Sequence, residues 1–258
     1  MVFLRSLIFN SLFGAWTGFL AVAGAPLLLL PVGATWALAR LWIGGGLALL
    51  SAIVGLRHRV IGLEHRPAGP AIYAAKHQSA WDTLILSVLL DRPAFVLKQE
   101  LLRVPFFGWY LRHCAMIPVD RQGRAAALKR MLAAAREAAD AGRPVLIFPE
   151  GTRVQPGERR PYQPGIAALY VHLDLPVVPI ALNSGLFWGR RSFVKRPGRI
   201  TLAFLEPIMP GLSRRALMSQ LETRIEDATS ALEREASDGQ GAGECGAGNQ
   251  SSSPAPNI

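Results

Sequence analysis

Between Ser6 and Ala39 the chain carries no charged residue, and after Arg40 the stretch from Leu41 to Leu56 carries none either. Such a segment cannot form an ordinary solvated layer. A bilayer-crossing helix needs roughly 20 apolar residues, and the first run is long enough. Pro26 and Pro31 should kink or break it. The second run, "LWIGGGLALLSAIVGL", is short for a span and rich in glycine. The pattern predicts a membrane-associated helical hairpin over residues 1–56, either spanning or re-entrant. Two other readings exist: a cleaved signal peptide, with Arg5 as its basic start and "AVA" at 21–23 as the cleavage site, and a buried core helix. Against the signal peptide, the chain stays apolar for about thirty further residues, where a mature soluble domain should begin.

From Arg57 the texture changes to an alternation of short β-rich runs and helical patterns. Strands are predicted near 58–63 and at 71–75, 94–98, 115–119, 144–149, 176–182 and 199–205. Helices are predicted at 80–90, 124–141, 164–173 and 213–236. This alternation argues for an α/β domain over 57–236, with a mixed, largely parallel sheet flanked by helices. The remainder, 237–258, "GQGAGECGAGNQSSSPAPNI" with its two leading residues, has the composition of a disordered tail. A net charge of +10 favours anionic partners such as phosphate groups or acidic lipid. Cys114 and Cys245 are too few for a disulfide framework and lack metal-site spacing. No nucleic-acid motif, G-x-S-x-G elbow or Walker-type loop is present.

"KHQSAWDT", Lys76 to Thr83, places His77 and Asp82 five residues apart. On one helix that spacing turns the two side chains about 140° from each other. They meet only if His77 lies in the turn before a helix and Asp82 in its first turns. Ser79 is a suitable N-cap for that arrangement, and an aspartate near a helix N-terminus is favoured. An aspartate on one imidazole nitrogen leaves the other free to take a proton. On spacing alone, a capping aspartate beside an unrelated histidine is the simpler reading.

"FPEGTR", Phe148 to Arg153, follows a β-like run and so sits at a strand end, where α/β sheets place ligands. Gly151 permits a tight turn, and Glu150 and Arg153 suit a substrate carrying hydroxyl and phosphate groups. A turn with a surface Glu–Arg pair reads equally well. Lys98 and Arg121 border "VPFFGWYL", an apolar block that suits lipid, an acyl chain or plain core packing. Arg190, Arg191, Lys195, Arg196 and Arg199 cluster among Phe187, Trp188 and Phe193, which suits a membrane surface as well as a solvated basic loop. His58, His65, His113 and His172 lack metal-ligand spacing.

Taken together these blocks resemble the glycerolipid acyltransferase family, and most of all its bacterial 1-acylglycerol-3-phosphate acyltransferases. The H-x4-D block reads His77 to Asp82, the second ends in Arg121, the third is "FPEGTR" and the fourth is "LPVVPIAL" around Pro179. Lys76 stands where Asn is common, Ala115 where glycine is frequent and Val154 where serine is common. The resemblance implies that His77 is a general base oriented by Asp82, and that a fatty acyl group passes from a thioester donor to a lysolipid hydroxyl. It places Glu150, Gly151, Thr152, Arg153, Lys98 and Arg121 around the acceptor's glycerol phosphate. Implied partners are membrane lipids, with lysophosphatidic acid as acceptor, and acyl-CoA or acyl-carrier protein as co-substrate; no bound cofactor and no metal are implied. Glycerol-3-phosphate or another lysolipid is an alternative acceptor, and a thioesterase or a non-catalytic lipid-binding membrane protein an alternative class. The expected location is the inner membrane, with the abundant Lys and Arg after the hairpin favouring a cytoplasmic α/β domain.

Overall fold

A computed structural model of the chain describes residues 1–120 and 123–245. Among these residues seven strands form one sheet: β1 (Leu56–Ile61), β2 (Ile72–Ala75), β3 (Ala94–Lys98), β4 (Ile117–Val119), β5 (Val145–Ile147), β6 (Val177–Leu182) and β7 (Gly198–Phe204). Their order is β1-β7-β6-β2-β5-β3-β4. Neighbours run parallel except β6 and β7. The mixed, largely parallel sheet is as the strand–helix alternation requires. Every residue of β2, β5 and β6 is buried, because both faces are covered; this explains their continuous rather than alternating apolar pattern.

The helices are α1 (Val2–Ala23), α2 (Val32–Leu49), α3 (Ala80–Leu89), α4 (Phe107–His113), α5 (Arg124–Asp140), α6 (Gly165–Leu173) and α7 (Arg214–Cys245). One core holds Met131 and Ala135 of α5, Ile166 and Leu169 of α6, and Leu217, Leu221 and Ile225 of α7 against the sheet. The other face of the sheet packs on Trp81, Ile85 and Leu86 of α3, with Phe9, Leu50 and Val54 from the N-terminal segment.

The hairpin breaks at Gly24–Pro31, where the prolines are, and not at Arg40. Arg40 lies inside α2 with its guanidinium 3.9 Å from the Asp91 carboxylate, which keeps the charge at the surface. The second helical stretch therefore runs from Val32 to Val54, 23 residues, and is not the short segment its charge-free length implied. At 1.5 Å per residue each helix is about 33 Å long, comparable to the ~30 Å of bilayer hydrocarbon. α1 is fastened to the α/β domain at both ends. Near its start, Lys195 donates through its backbone N–H to Ser6 Oγ (2.9 Å) and through Nζ to Asn10 Oδ1 (2.6 Å). Near its end, Tyr110 donates to the Ala21 carbonyl at 2.9 Å. The hairpin thus lies along the domain, while Phe3, Leu4, Leu7, Ile8, Leu12 and Phe19 remain uncovered.

Two further expectations need revision. Residues 237–245 are helical, continuing α7, and only 246–258 of the expected disordered tail lie outside the described residues. Glycine-rich composition argued for disorder, but a helix already anchored by packing extends at only about 1 kcal/mol per glycine. The "VPFFGWYL" block folds into a turn and α4, splitting between exposed Phe107 and Trp109 and half-buried Tyr110. Gly108 lets α4 close on the preceding turn, since a Cβ there would overlap the Leu102 carbonyl. Gly108→Ala is expected to cost about 1–3 kcal/mol, the usual penalty for overpacking. A thermal melt should register it as a fall of several degrees.

Candidate active site

The site is built where β2 turns into α3. Ser79, in extended conformation, caps α3 and accepts from the Trp81 N–H at 3.1 Å. Asp82, three residues on, accepts from the Ser79 N–H at 2.8 Å, which completes a capping box. The same oxygen, Oδ2, accepts from the Gln78 N–H at 2.7 Å and contacts His77 Nδ1 at 2.9 Å. Ser184 Oγ donates to Oδ1 at 2.5 Å. Asp82 is fully buried, and every one of these contacts orients its carboxylate. His77 lies in the turn and Asp82 in the first helical turn, which resolves the awkward five-residue spacing.

The imidazole is fixed in two directions. Asp82 holds Nδ1–H, and the Phe148 ring stacks on the face with centroids 3.9 Å apart and planes 16° apart. A neutral imidazole held this way presents the Nε2 lone pair. Its side chain remains 12% exposed. It opens onto a cavity of about 1110 Å³. That exceeds the ~300–1,000 Å³ of ordinary small-molecule sites. Much of the wall is apolar: Leu20, Trp36 and Ile43 of the hairpin, Leu84 of α3, Phe95 of β3 and Leu111 of α4.

Polar groups of the expected set are divided by the structure. Gly151, Thr152 and Arg153 line this cavity, with Gly151 in the left-handed region at φ 67°. Arg153 is held below its ordinary pKa by burial, against the pull of Asp82 and reinforced by the nearby Arg190 charge. Lys98 also lines the cavity and pairs with Glu100 at 2.9 Å on an exposed stretch. Arg121 lies outside the described residues. Of the basic cluster, Arg190 and Arg191 face the cavity, whereas Lys195 is buried among Phe9, Trp188 and Phe193 in the junction with α1.

Glu150 is the correction. It does not reach the cavity: it is 3% exposed and points behind the turn. Its Oε1 meets Lys76 Nζ at 2.6 Å and its Oε2 accepts from the His77 N–H at 3.0 Å. One oxygen is thus hydrogen-bonded to the turn, the other has only the ion pair with Lys76, and the carboxylate faces the turn and not the cavity. Burial pushes its carboxyl up to about 6, with Lys76 pulling the other way. The spacing of "FPEGTR" could not distinguish the two sides of the loop. Ser184 and Glu226 were also missed; neither sits in a local pattern that marks it. Among the described residues no group of three His, Cys, Asp or Glu side chains is placed to hold a metal.

Residues 57–183 match the acyltransferase family model. A 1-acyl-sn-glycerol-3-phosphate acyltransferase of Pseudomonas aeruginosa is 42% identical over 159 residues, covering 62% of this chain and 62% of that protein. One from Limnanthes douglasii is 32% identical over 166 residues, 64% of this chain and 58% of that protein. The mouse alpha form is 28% identical over 198 residues, 75% of this chain and 70% of that protein. The match to the first two spans about three fifths of their length. The crystal structure of the 1-acyl-sn-glycerophosphate (LPA) acyltransferase PlsC from Thermotoga maritima shares the fold. It superposes with a TM-score of 0.74 at 21% identity, over 90% of this chain and 98% of that one. The segment that matches the acyltransferase family model, residues 57–183, contains His77, Asp82 and the Phe148–Arg153 loop.

Proposed function

We propose that the protein transfers a fatty acyl group from a thioester to the sn-2 hydroxyl of a 1-acylglycerol-3-phosphate, yielding phosphatidic acid and a free thiol. The observation that carries this reading is the His77–Asp82 pair opening onto a large apolar cavity that also holds Arg153. His77 Nε2 takes the hydroxyl proton as the oxygen attacks the thioester carbonyl. The tetrahedral intermediate collapses, the C–S bond breaks, and the imidazolium returns the proton to the thiolate. Asp82 stabilises the imidazolium formed in between. No residue needs to be acylated.

The apolar wall suits acyl chains, and Arg153 suits the phosphate of the acceptor, with Lys98 and Arg121 nearby in the family's pattern. A charge-assisted hydrogen bond contributes about 1.5–3 kcal/mol. Arg153→Ala is therefore expected to raise KM for lysophosphatidate by about 10- to 150-fold, with donor KM little changed. Steady-state kinetics with each substrate varied in turn checks this. The uncovered apolar face of α1 supports membrane association, with the hairpin entering lipid alongside the domain, and the basic surface beyond it favours the cytoplasmic face.

The test uses the full chain in detergent or vesicles, given acyl-CoA or acyl-carrier protein as donor. Thiol release that requires lysophosphatidate supports the reading. Release without any acceptor would indicate a thioesterase, release with another lysolipid or glycerol-3-phosphate would reassign the acceptor, and no release with either donor would leave a lipid-binding role.

A further inference from the structure

We propose that α7 acts as a splint for the catalytic turn: Glu226 and Glu233 grip Lys76 and Gln78, the two neighbours of His77, and so fix the imidazole against Asp82. The proposal rests on His77 acting as the base.

The turn is built to be gripped from behind. The Lys76 N–H donates to the Ile180 carbonyl at 2.9 Å, so the chain leaving β2 is still paired as a strand. In extended backbone successive side chains point to opposite sides. His77 looks into the cavity, while Lys76 and Gln78, each 1% exposed, look away from it. On α7, Glu226 and Glu233 are seven residues apart, about two turns, and share one face. Lys76 Nζ donates to both oxygens of Glu226 at 2.8 and 2.9 Å, and Gln78 Nε2 donates to Glu233 Oε1 at 2.6 Å. Tyr162 adds a hydroxyl donated to Glu226 Oε1 at 2.9 Å.

Both grips continue to the reacting pair. Lys76 also holds Glu150, whose other oxygen takes the His77 N–H. Gln78 Oε1 accepts the Gly185 N–H at 3.0 Å, and Ser184 beside it donates to Asp82. A lysine buried to this degree is sustained only by paired carboxylates, and a buried ion pair is better suited to fixing geometry than to adding stability. Lys76, in the position where the family commonly has Asn, thereby acquires a purpose: it answers Glu226, 150 positions later in the chain. These are positioning residues, acting on the reaction only through His77 and Asp82.

The experiment compares Glu226→Gln, Glu233→Ala and Lys76→Met in the full chain, with His77→Ala as reference. Misplacing a catalytic group by about 1 Å can cost 10²-fold. The splint predicts kcat falling by about 10- to 100-fold in the Glu226→Gln and Glu233→Ala variants, with KM for donor and acceptor within about threefold of wild type. It also predicts faster hydrogen exchange at the His77 and Gln78 amides. A lowered melting temperature with unchanged kcat would make α7 a stabiliser only and overturn the proposal. So would a raised KM with kcat intact, which would mean substrate binding. Should Lys76→Met fail to fold, Glu233→Ala decides alone, since it leaves Gln78 Nε2 without this acceptor and Glu233 is only half-buried. If His77→Ala keeps its activity, the general-base reading fails instead, which separates the two outcomes.

Discussion

His77→Ala is expected to lower kcat by about 10²–10⁴-fold, the usual contribution of a positioned general base. The loss should appear with either thioester donor, because in the proposed mechanism His77 acts on the acceptor hydroxyl and not on the donor. Folding should survive. His77 sits in a turn with its side chain partly open to the cavity. Removing the ring gives up one stack on Phe148, and Asp82 keeps the Gln78 and Ser79 amides and the Ser184 hydroxyl. Thiol-release kinetics paired with a thermal melt tests both halves. An inactive variant that also melts far below wild type would place His77 in the structural framework and not at the reaction.

Asp82→Asn is expected to cost activity and stability together. The carboxylate is fully buried and meets four donors: His77 Nδ1, two backbone N–H groups and Ser184 Oγ. An asparagine oxygen in place of Oδ2 meets the same three donors without a charge, and its amide N–H reverses the bond to the Ser184 hydroxyl, which must then accept. Hydrogen bonds to charged groups contribute about 1.5–3 kcal/mol each, against about 0.5–1.5 kcal/mol for neutral ones, and three such bonds weaken together. We expect a loss of roughly 2–5 kcal/mol, together with a fall in kcat as large as that of His77→Ala. The contrast between the two variants is the informative measurement. On the proposed mechanism one residue reacts, and the other holds both the reactant and the start of α3. An Asp82→Asn protein that melts like wild type would refute this shared duty.

The sheet was legible because its central strands are local apolar runs, and the alternation with helices fixes its layers. The His77–Asp82 meeting was legible too, since only a turn-then-helix arrangement lets residues five apart touch and Ser79 supplies the cap. Other features depend on contacts distant in sequence. Lys76 looked anomalous because its partner Glu226 lies on α7. Glu150 looked like a substrate ligand because sequence order does not say which side of a loop a carboxylate occupies. Arg40 reads as a helix boundary because a charge interrupts the apolar run, yet its partner Asp91 meets it at the surface. Ser184 carried no local sign, being brought to Asp82 by the pairing of β6 with β2.

Because Leu20, Trp36 and Ile43 belong to the hairpin and also wall the cavity, a hairpin seated in lipid would set the interior of the protein directly against the bilayer. A single-chain amphiphile can then enter sideways, its tail passing from bilayer to cavity without crossing water. Turnover in this geometry should follow the mole fraction of substrate within the surface and not its concentration in the bulk. Adding inert lipid or detergent at constant total substrate should slow the reaction by dilution in two dimensions. Detaching residues 1–54 would not release a soluble catalyst, because it would remove a wall of the chamber and strip the cover from Trp81, Ile85 and their neighbours.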